Sequence, residues 1–411
     1  MDADPTAANA PVLSAPLAGV RVLELGHYVA APFATRLLAD LGAEVIKVEP
    51  PGGDPVRQWG ASFKGSAPWW SVHARNKRCI SLDLKKPDGR AVVLDLVRRC
   101  DALVENFRPG QLARMGLGEG ELRAARPDLV VARISGYGQD GPDRDKAAFG
   151  VIGEAIGGLR HLTDHAPGTS DLPPVRVGVS IGDSVAGIYA ALGVVSALLR
   201  RERTGRGGEV DVALTESVFS LLEGALPEYS TLGTVRQPAG GGIATAAPSN
   251  AYRSRDGSWV LIAANSDPLF RKLAALMGQP GLAADERFAG NQARVANVGE
   301  LDRLIGAWTG GLDAAALDAA LERADIPHTK VLTVADIAAD PQFRVRGMVQ
   351  DVADPILGPV LHPGTVPRID GADPAPRFTG PAVGADNEAV LRDLLGYAPD
   401  RLATLRDGGV L

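Results

Sequence analysis

The chain has 411 residues, 45% of them hydrophobic and 22% charged, with a formal net charge of -6. That length predicts two or more cores, and the negative balance argues against a general nucleic-acid or membrane-surface binder. Two cysteines, Cys79 and Cys100, make neither a disulfide framework nor a metal-ligand spacing; buried thiols in a reducing cytoplasm are expected.

Residues 1–15 start acidic and lack an apolar h-region, so a frayed tail is expected rather than a secretory signal. Residues 20–25 read as a strand, 32–41 as a helix and 44–48 as a second strand, a β-α-β opening. A helix is predicted over 88–100, after Lys86-Pro87. Strands follow at 102–105 and 129–134, with helical pieces over 111–125 between them. This alternation predicts an α/β fold with a Rossmann-like parallel sheet. The loop Gly26-His-Tyr-Val-Ala-Ala-Pro32 lacks the G-x-G-x-x-G fingerprint, and no phosphate-binding G-x-x-x-x-G-K-[ST] occurs. A nucleotide-containing ligand would therefore bind without the usual glycine cradle.

A long buried helix is predicted over 183–200, its apolar run 185–199 falling short of a membrane span. A strand at 209–212 and a helix at 215–224 close the first domain, residues 16–224. The Gly-, Ala- and Pro-rich stretch 236–249 marks the boundary region. Beyond it, a hairpin over 251–264 turning at Arg255-Asp-Gly257 and helices at 268–277, 298–308 and 314–324 make a small α+β domain, residues 225–330. Residues 331–411 are Pro-rich and extended, ending in a helix at 387–395.

Three motifs invite chemistry. Gly178-Val-Ser-Ile-Gly182 matches the G-x-S-x-G nucleophile elbow, but Pro173-Pro174 leaves little room for the strand that must precede Ser180. His161-Leu-Thr-Asp-His165 has two histidines four apart without the Glu of a zinc protease, so no metal is expected. Asp183, near the start of the apolar helix, suits either an N-cap or a carboxylate nucleophile held by helix amides. Asn106-Phe-Arg-Pro-Gly110, at the end of a strand, is either a polar turn or an amide, ring and cation for an adenine nucleotide. Lys77, Arg78, Lys85 and Lys86 read as phosphate partners or as a solvated face.

Taken together the motifs resemble the class III coenzyme A transferase (CaiB/BaiF) family, which includes formyl-CoA and carnitine-CoA transferases and α-methylacyl-CoA racemases. The resemblance rests on residues 16–24, 38–49, Gly53-Asp54 with Arg57, Asn76-Lys-Arg, Leu82-Asp-Leu-Lys85 and Glu105-Asn-Phe-Arg-Pro-Gly110. It continues through Gly136-Tyr-Gly138, Gly182-Asp-Ser184, residues 201–212, Asn250-Ala-Tyr252 and Ile326-Pro327. It implies an interlocked homodimer, with residues 331–411 returning to complete the large domain. Substrates would be an acyl-CoA and a small organic acid, a dicarboxylic acid among the options, with no tightly bound cofactor and no nucleic-acid or membrane partner.

By the same resemblance Asp183 is the nucleophile, passing through an aspartyl anhydride and an aspartyl-CoA thioester. His27, Leu82, Lys85, Asn106, Phe107 and Arg114 are CoA contacts. Gly240, Gly241 and Gly242 match a mobile active-site loop. Pro50 stands where formyl-CoA transferases have an Arg. The racemase branch needs a His in a Gly-His-Asp segment for its proton relay, and Ala148-Phe149-Gly150 occupies that position. The alternatives are a racemase or isomerase with a displaced base, with His161 and His165 as the histidines to consider, and a CoA-binding protein without turnover. Arg57, Arg176 and Arg236 are open choices for a second carboxylate.

Overall fold

The computed structural model describes residues 15–370 and 375–411; apart from Ala15, the tail expected over residues 1–15 lies outside them. The chain divides into two compact units. The first comprises Met1–Leu159, Gly178–Leu222 and Asp340–Leu411, and the second Arg160–Val177 and Glu223–Ala339. Residues 160–177, placed by sequence in the large domain, cluster instead with the second unit. His161 Nε2 lies 3.1 Å from the Arg236 carbonyl, and Thr163 Oγ1 donates to the Val175 carbonyl at 2.9 Å. Residues 331–339 also belong there, since Val331 N–H donates to the Trp259 carbonyl.

The first unit is built on six parallel strands: β1 (Arg21–Glu24), β2 (Glu44–Glu49), β3 (Lys77–Ser81), β4 (Ala102–Glu105), β5 (Val130–Ser135) and β6 (Gly208–Ala213). Their order is β3-β2-β1-β4-β5-β6. The chain thus starts in the middle, moves to one edge and crosses back, so β1 and β4 flank the switch point where ligands of parallel sheets bind. β3 is absent from the sequence reading because Lys77 and Arg78 read as phosphate partners or a solvated face.

Neighbouring residues of one strand serve opposite faces of the sheet. Val22, Val45, Val104 and Ala132 pack beneath the helices Ala30–Asp40 and Ile181–Thr204. Leu23, Ile46, Ile80, Leu103 and Val131 pack against the helix Pro87–Val97 and against Val390, Leu402, Leu405 and Val410. A strand buried on both faces reads as a continuous apolar run, which is why β1 and β5 were legible. Cys79 and Cys100 are both free and buried, and burial pushes both thiols upward in pKa.

The helix Ile181–Thr204 has 24 residues, and an 18-residue window within it reaches a mean hydropathy of 1.6, enough by length and composition alone to cross a membrane, with half of that window buried in the protein. Its buried positions include Ala186, Gly187, Ala190, Ala191 and Val194. A Cβ at Gly187 would stand 2.9 Å from the Ala30 carbonyl oxygen, so glycine lets the two helices touch backbone to backbone. Such packing marks a core helix.

The second unit carries an antiparallel sheet of Ser249–Arg253, Trp259–Ala263 and His328–Lys330. The helices Asp267–Leu276, Val298–Thr309 and Ala314–Arg323 cover it around Tyr252, Ile262, Phe270, Leu301 and Leu317. Past residue 340 the chain contributes a hairpin, Val349–Asp354 and Gly358–Pro363, and a helix, Pro399–Asp407. Neither was visible to the sequence reading.

Candidate active site

Near the ends of β1 and β2 and the start of β3 lies a buried set of charges. Lys47 Nζ sits 2.7 Å from Glu24 Oε1 and 2.7 Å from Asp54 Oδ2, and Lys77 Nζ sits 2.9 Å from Glu24 Oε2. Glu24 and Lys77 are 0% exposed and Lys47 and Asp54 are 1% exposed, so water contributes no screening. Two cations and two carboxylates balance, as burial demands. Burial pushes the Glu24 and Asp54 carboxyls up in pKa. The neighbouring lysines overcome it, Lys47 and Lys77 for Glu24 and Lys47 for Asp54, and hold both below the ordinary carboxylate range. Lys77 and Lys47, read from sequence as surface or unremarked positions, are interior groups.

This set holds the loop after β1. Lys47 donates to the Gly26 carbonyl at 2.8 Å, and Asp54 Oδ1 accepts the Tyr28 N–H at 3.2 Å. From the other side Asn106 takes the His27 amide at 2.8 Å and gives to the His27 carbonyl at 2.9 Å. Asn106 therefore works first as a clamp on the main chain. His27 Nδ1 lies 3.9 Å from Asp54 Oδ2, beyond hydrogen-bond reach, and its ring meets Phe107 edge-on at 5.3 Å.

Two cavities open on either side of Phe107. One, of about 340 Å³, is lined by Leu25, Val48, Pro50, Leu82, Lys85 and Met115 together with His27, Phe107 and Gln111. It is apolar, with Lys85 exposed at its mouth. This brings together four of the six CoA contacts inferred by resemblance: His27, Leu82, Lys85 and Phe107. Pro50, where an Arg was the alternative, is part of its wall. Arg114 is exposed at the end of the turn Gln111–Arg114 and lines neither cavity; only Gln111 of that turn does.

The second cavity, of about 220 Å³, shares His27, Phe107 and Gln111 with the first and is also lined by Asn106. Asp183 lines it, with Tyr28, Ser135, Phe149 and the cationic Arg108 and Lys146. Arg108 is the cation read in Asn106-Phe-Arg-Pro-Gly110, whereas Lys146 escaped the sequence reading.

Asp183 is half-buried in the first turn of its helix, three residues after the N-cap Ser180. The N-cap expectation is thus corrected: Ser180 holds the cap position, and Asp183 lies within the turn whose amides form the positive helix end. The hydrolase elbow fails as well, because residues 171–180 contain no strand before Ser180. A Cβ on Gly150 would fall 2.1 Å from Asp183 Oδ2, so residue 150 must lack a side chain for the carboxylate to sit where it does. Phe149, next door, is the N-cap of the helix Gly150–Ile156 and offers no group to relay a proton.

Other sequence choices fall elsewhere. Arg57 is committed to Glu49 through two hydrogen bonds of 2.7 and 2.8 Å, stacks on Trp70 and donates to the Pro381 carbonyl, which removes it from the open choices for a substrate carboxylate. Arg236 pairs with Glu228 at 2.7 Å in the second unit. Arg176 also belongs to that unit. Gly240, Gly241 and Gly242 lie there too, on a turn where a Cβ at Gly241 would meet Asn250 Oδ1 at 2.8 Å. His161 and His165 lie there as well, and among the described residues no cluster could hold a metal ion.

A Ser, His and Asp do meet in the first unit, but not as a triad. Ser71 Oγ donates to Asp354 Oδ2 at 2.9 Å and lies 2.9 Å from His362 Nε2. The hydroxyl proton points at the carboxylate, so the imidazole must donate to the serine and cannot deprotonate it. Burial lowers the His362 pKa to about 4, which keeps the ring neutral. These residues fasten the Val349–Pro363 hairpin to the helix Pro68–His73.

A family model described as CoA-transferase family III matches residues 17–387. The succinyl-CoA–D-citramalate CoA-transferase of Chloroflexus aurantiacus is 48% identical over 393 residues, 95% of this chain and 97% of the relative. The alpha subunit of that organism's succinyl-CoA–L-malate CoA-transferase is 35% identical over 96% of this chain and 92% of its own. A crystal structure of a CaiB/BaiF family protein from Brucella suis superposes with a TM-score of 0.81 at 35% identity, covering 93% of this chain and 99% of that one. With its six-stranded parallel sheet and a family match spanning nearly its whole length, the chain belongs to CoA-transferase family III.

Proposed function

We propose that this enzyme transfers coenzyme A from an acyl-CoA thioester to a small dicarboxylic acid, with Asp183 as the covalent carrier. Succinyl-CoA is the first donor to test, and citramalate and malate are the first acceptors, because these are the substrates of its relatives. The observation that carries the mechanism is the position of Asp183: its carboxylate lines a small cleft from the first turn of a 24-residue helix, against a glycine.

Asp183 attacks the thioester carbonyl, the C–S bond breaks, and CoA leaves as thiolate. The thiolate then attacks the aspartyl carbonyl of the mixed anhydride, releasing the donor acid and leaving an aspartyl-CoA thioester. The acceptor carboxylate attacks that thioester, and the freed thiolate takes the acceptor acyl group, restoring Asp183. Covalent carriage suits the task because a carboxylate is a poor direct nucleophile toward a thioester. Arg108 and Lys146 supply positive charge for phosphates or for the acid, and the apolar cavity at Leu82 takes the flat adenine. No resident cofactor is called for.

A homodimer belongs to the same reading. The long helix exposes Ile188 at 50%, Leu192 at 59% and Leu199 at 48%, beside an apolar groove lined by Leu37, Leu41, Met348 and Val366. An apolar face of that extent fits burial against a second copy. Two buried free thiols accord with a cytoplasmic setting.

The deciding experiment incubates the enzyme with succinyl-CoA, traps with hydroxylamine and maps the adduct by mass spectrometry. Modification at Asp183, and loss of transfer in Asp183→Ala, are expected. An unmodified Asp183 together with an active Asp183→Ala enzyme refutes the mechanism. Deuterium entering the α-carbon from solvent would redirect the assignment to racemisation.

A further inference from the structure

Tyr28 stands in the wall of the Asp183 cleft with a backbone φ of 63°. That left-handed region is costly for a residue carrying a Cβ, and glycine would occupy it freely. A tyrosine is retained there only because its surroundings force it. The restraints are explicit. Its N–H is held by Asp54 Oδ1, its neighbour His27 is clamped by Asn106, and Asp54 is itself fixed by Lys47 and by the Val56 N–H at 2.9 Å.

The ring is placed as firmly as the backbone. It packs on Trp59 at 5.3 Å and meets Phe149 edge-on at 6.2 Å. Trp59 follows the short turn Pro55–Gln58, which Asp54 caps, so one carboxylate fixes both the Tyr28 backbone and the segment that carries its ring partner. Phe149 precedes Gly150, the residue against which the Asp183 carboxylate lies. The strained residue is therefore tied by packing to the immediate surroundings of the nucleophile. The cleft holds only about 220 Å³, below the usual range of small-molecule pockets, so one ring in its wall is a large part of its shape.

We propose that the Tyr28 ring is the wall that limits the length of the acid accepted beside Asp183. The inference rests on the transferase reading above. It differs from a structural role in a measurable way. A residue kept for stability would make its removal harmful to the fold, whereas a glycine at position 28 opens the wall and relieves backbone strain that offsets the lost ring packing.

The test compares Tyr28→Gly and Tyr28→Phe with the wild-type full chain. kcat/KM is measured for succinate, glutarate and adipate as acceptors from one acyl-CoA donor, with the thermal midpoint of each protein. Tyr28→Gly is expected to raise the adipate-to-succinate ratio at least tenfold with an unchanged or higher midpoint. Tyr28→Phe keeps the ring and is expected to keep the wild-type ranking of acids. An unchanged ratio in Tyr28→Gly overturns the proposal, as does an equal loss for all acids with a lowered midpoint. If the wild type transfers CoA to none of a broader acid panel, the transferase reading itself fails and takes this inference with it.

Discussion

Asn106 holds the peptide of His27 from both sides, accepting its N–H at 2.8 Å and donating to its carbonyl at 2.9 Å. The pair joins the loops after β1 and β4 across the sheet's switch point, so the wall shared by both cavities depends on one side chain. Each such hydrogen bond is worth about 1 kcal/mol net, and Asn106→Ala removes two. The expected loss is about 2 kcal/mol of unfolding free energy, with KM for acyl-CoA raised about tenfold. Urea unfolding and initial-rate kinetics check both.

Gly150 gives a sharper test of the Asp183 site. A methyl at residue 150 would occupy the space of the carboxylate, so Gly150→Ala must displace Asp183. A misplacement of about 1 Å at a reacting group costs on the order of a hundredfold in rate. The expected result is a kcat lowered about 100-fold or more while the circular dichroism spectrum and CoA binding persist. A Gly150→Ala enzyme of normal kcat would remove Asp183 from the chemistry.

Glu105 makes the protein's stability pH-dependent. It is buried at the end of β4, with Oε2 accepting the Phe107 N–H at 2.6 Å. Burial pushes its pKa up to about 7; the Phe107 amide and Arg133 oppose the rise, and Glu209 and Asp211 add to it. Because the folded pKa lies above the unfolded one, its contribution is fully present below the ordinary value of 4.5 and is lost as pH rises through 7. Glu105→Gln keeps an acceptor for Phe107 and carries no charge. It should flatten this slope, gaining up to about 3 kcal/mol over the wild type at pH 8. Chemical denaturation at pH 5 and pH 8 provides the comparison, and parallel losses in the two proteins would contradict it.

Lys47 carries the largest expected stability effect. It is the shared cation of Glu24 and Asp54, and Lys47→Met leaves the buried Asp54 carboxylate without its lysine and Glu24 with Lys77 alone. Breaking a buried pair from one side costs about 3–5 kcal/mol. The variant is expected to be largely insoluble at 37 °C, and a soluble protein of wild-type midpoint would show that the two carboxyls take up protons without loss.

The sequence made the sheet legible where residues were apolar in strand-length runs, as in β1, β2 and β5, and the strongly periodic helices of the second unit lie within a residue or two of their predicted ends. β3 was hidden by Lys77-Arg78, since a buried lysine looks like a surface one until Glu24 is known to lie beneath it. Asp183 was named through its motif, yet its place at the third position of the helix, not the cap, depends on how Ser180 ends the preceding loop. Tyr28 and Lys146 were missed because their neighbourhood is assembled from segments far apart in the chain. Leu82 and Phe107 were named by resemblance, but only the fold shows that they share one cavity.

The edge strand β3 has a partner that arrives late. Asp386 accepts the Cys79 N–H across 307 residues of sequence, Asn387 accepts that of Ser81, and the Val410 carbonyl accepts that of Asp83, beside Leu82 in the apolar cavity. During translation, β3 leaves the ribosome long before these groups exist. The nascent sheet therefore carries an open, apolar flank for most of synthesis, a template for pairing with another nascent chain. Slow elongation or heavy overexpression should send this protein into aggregates through that flank, and co-expressed chaperones should recover it.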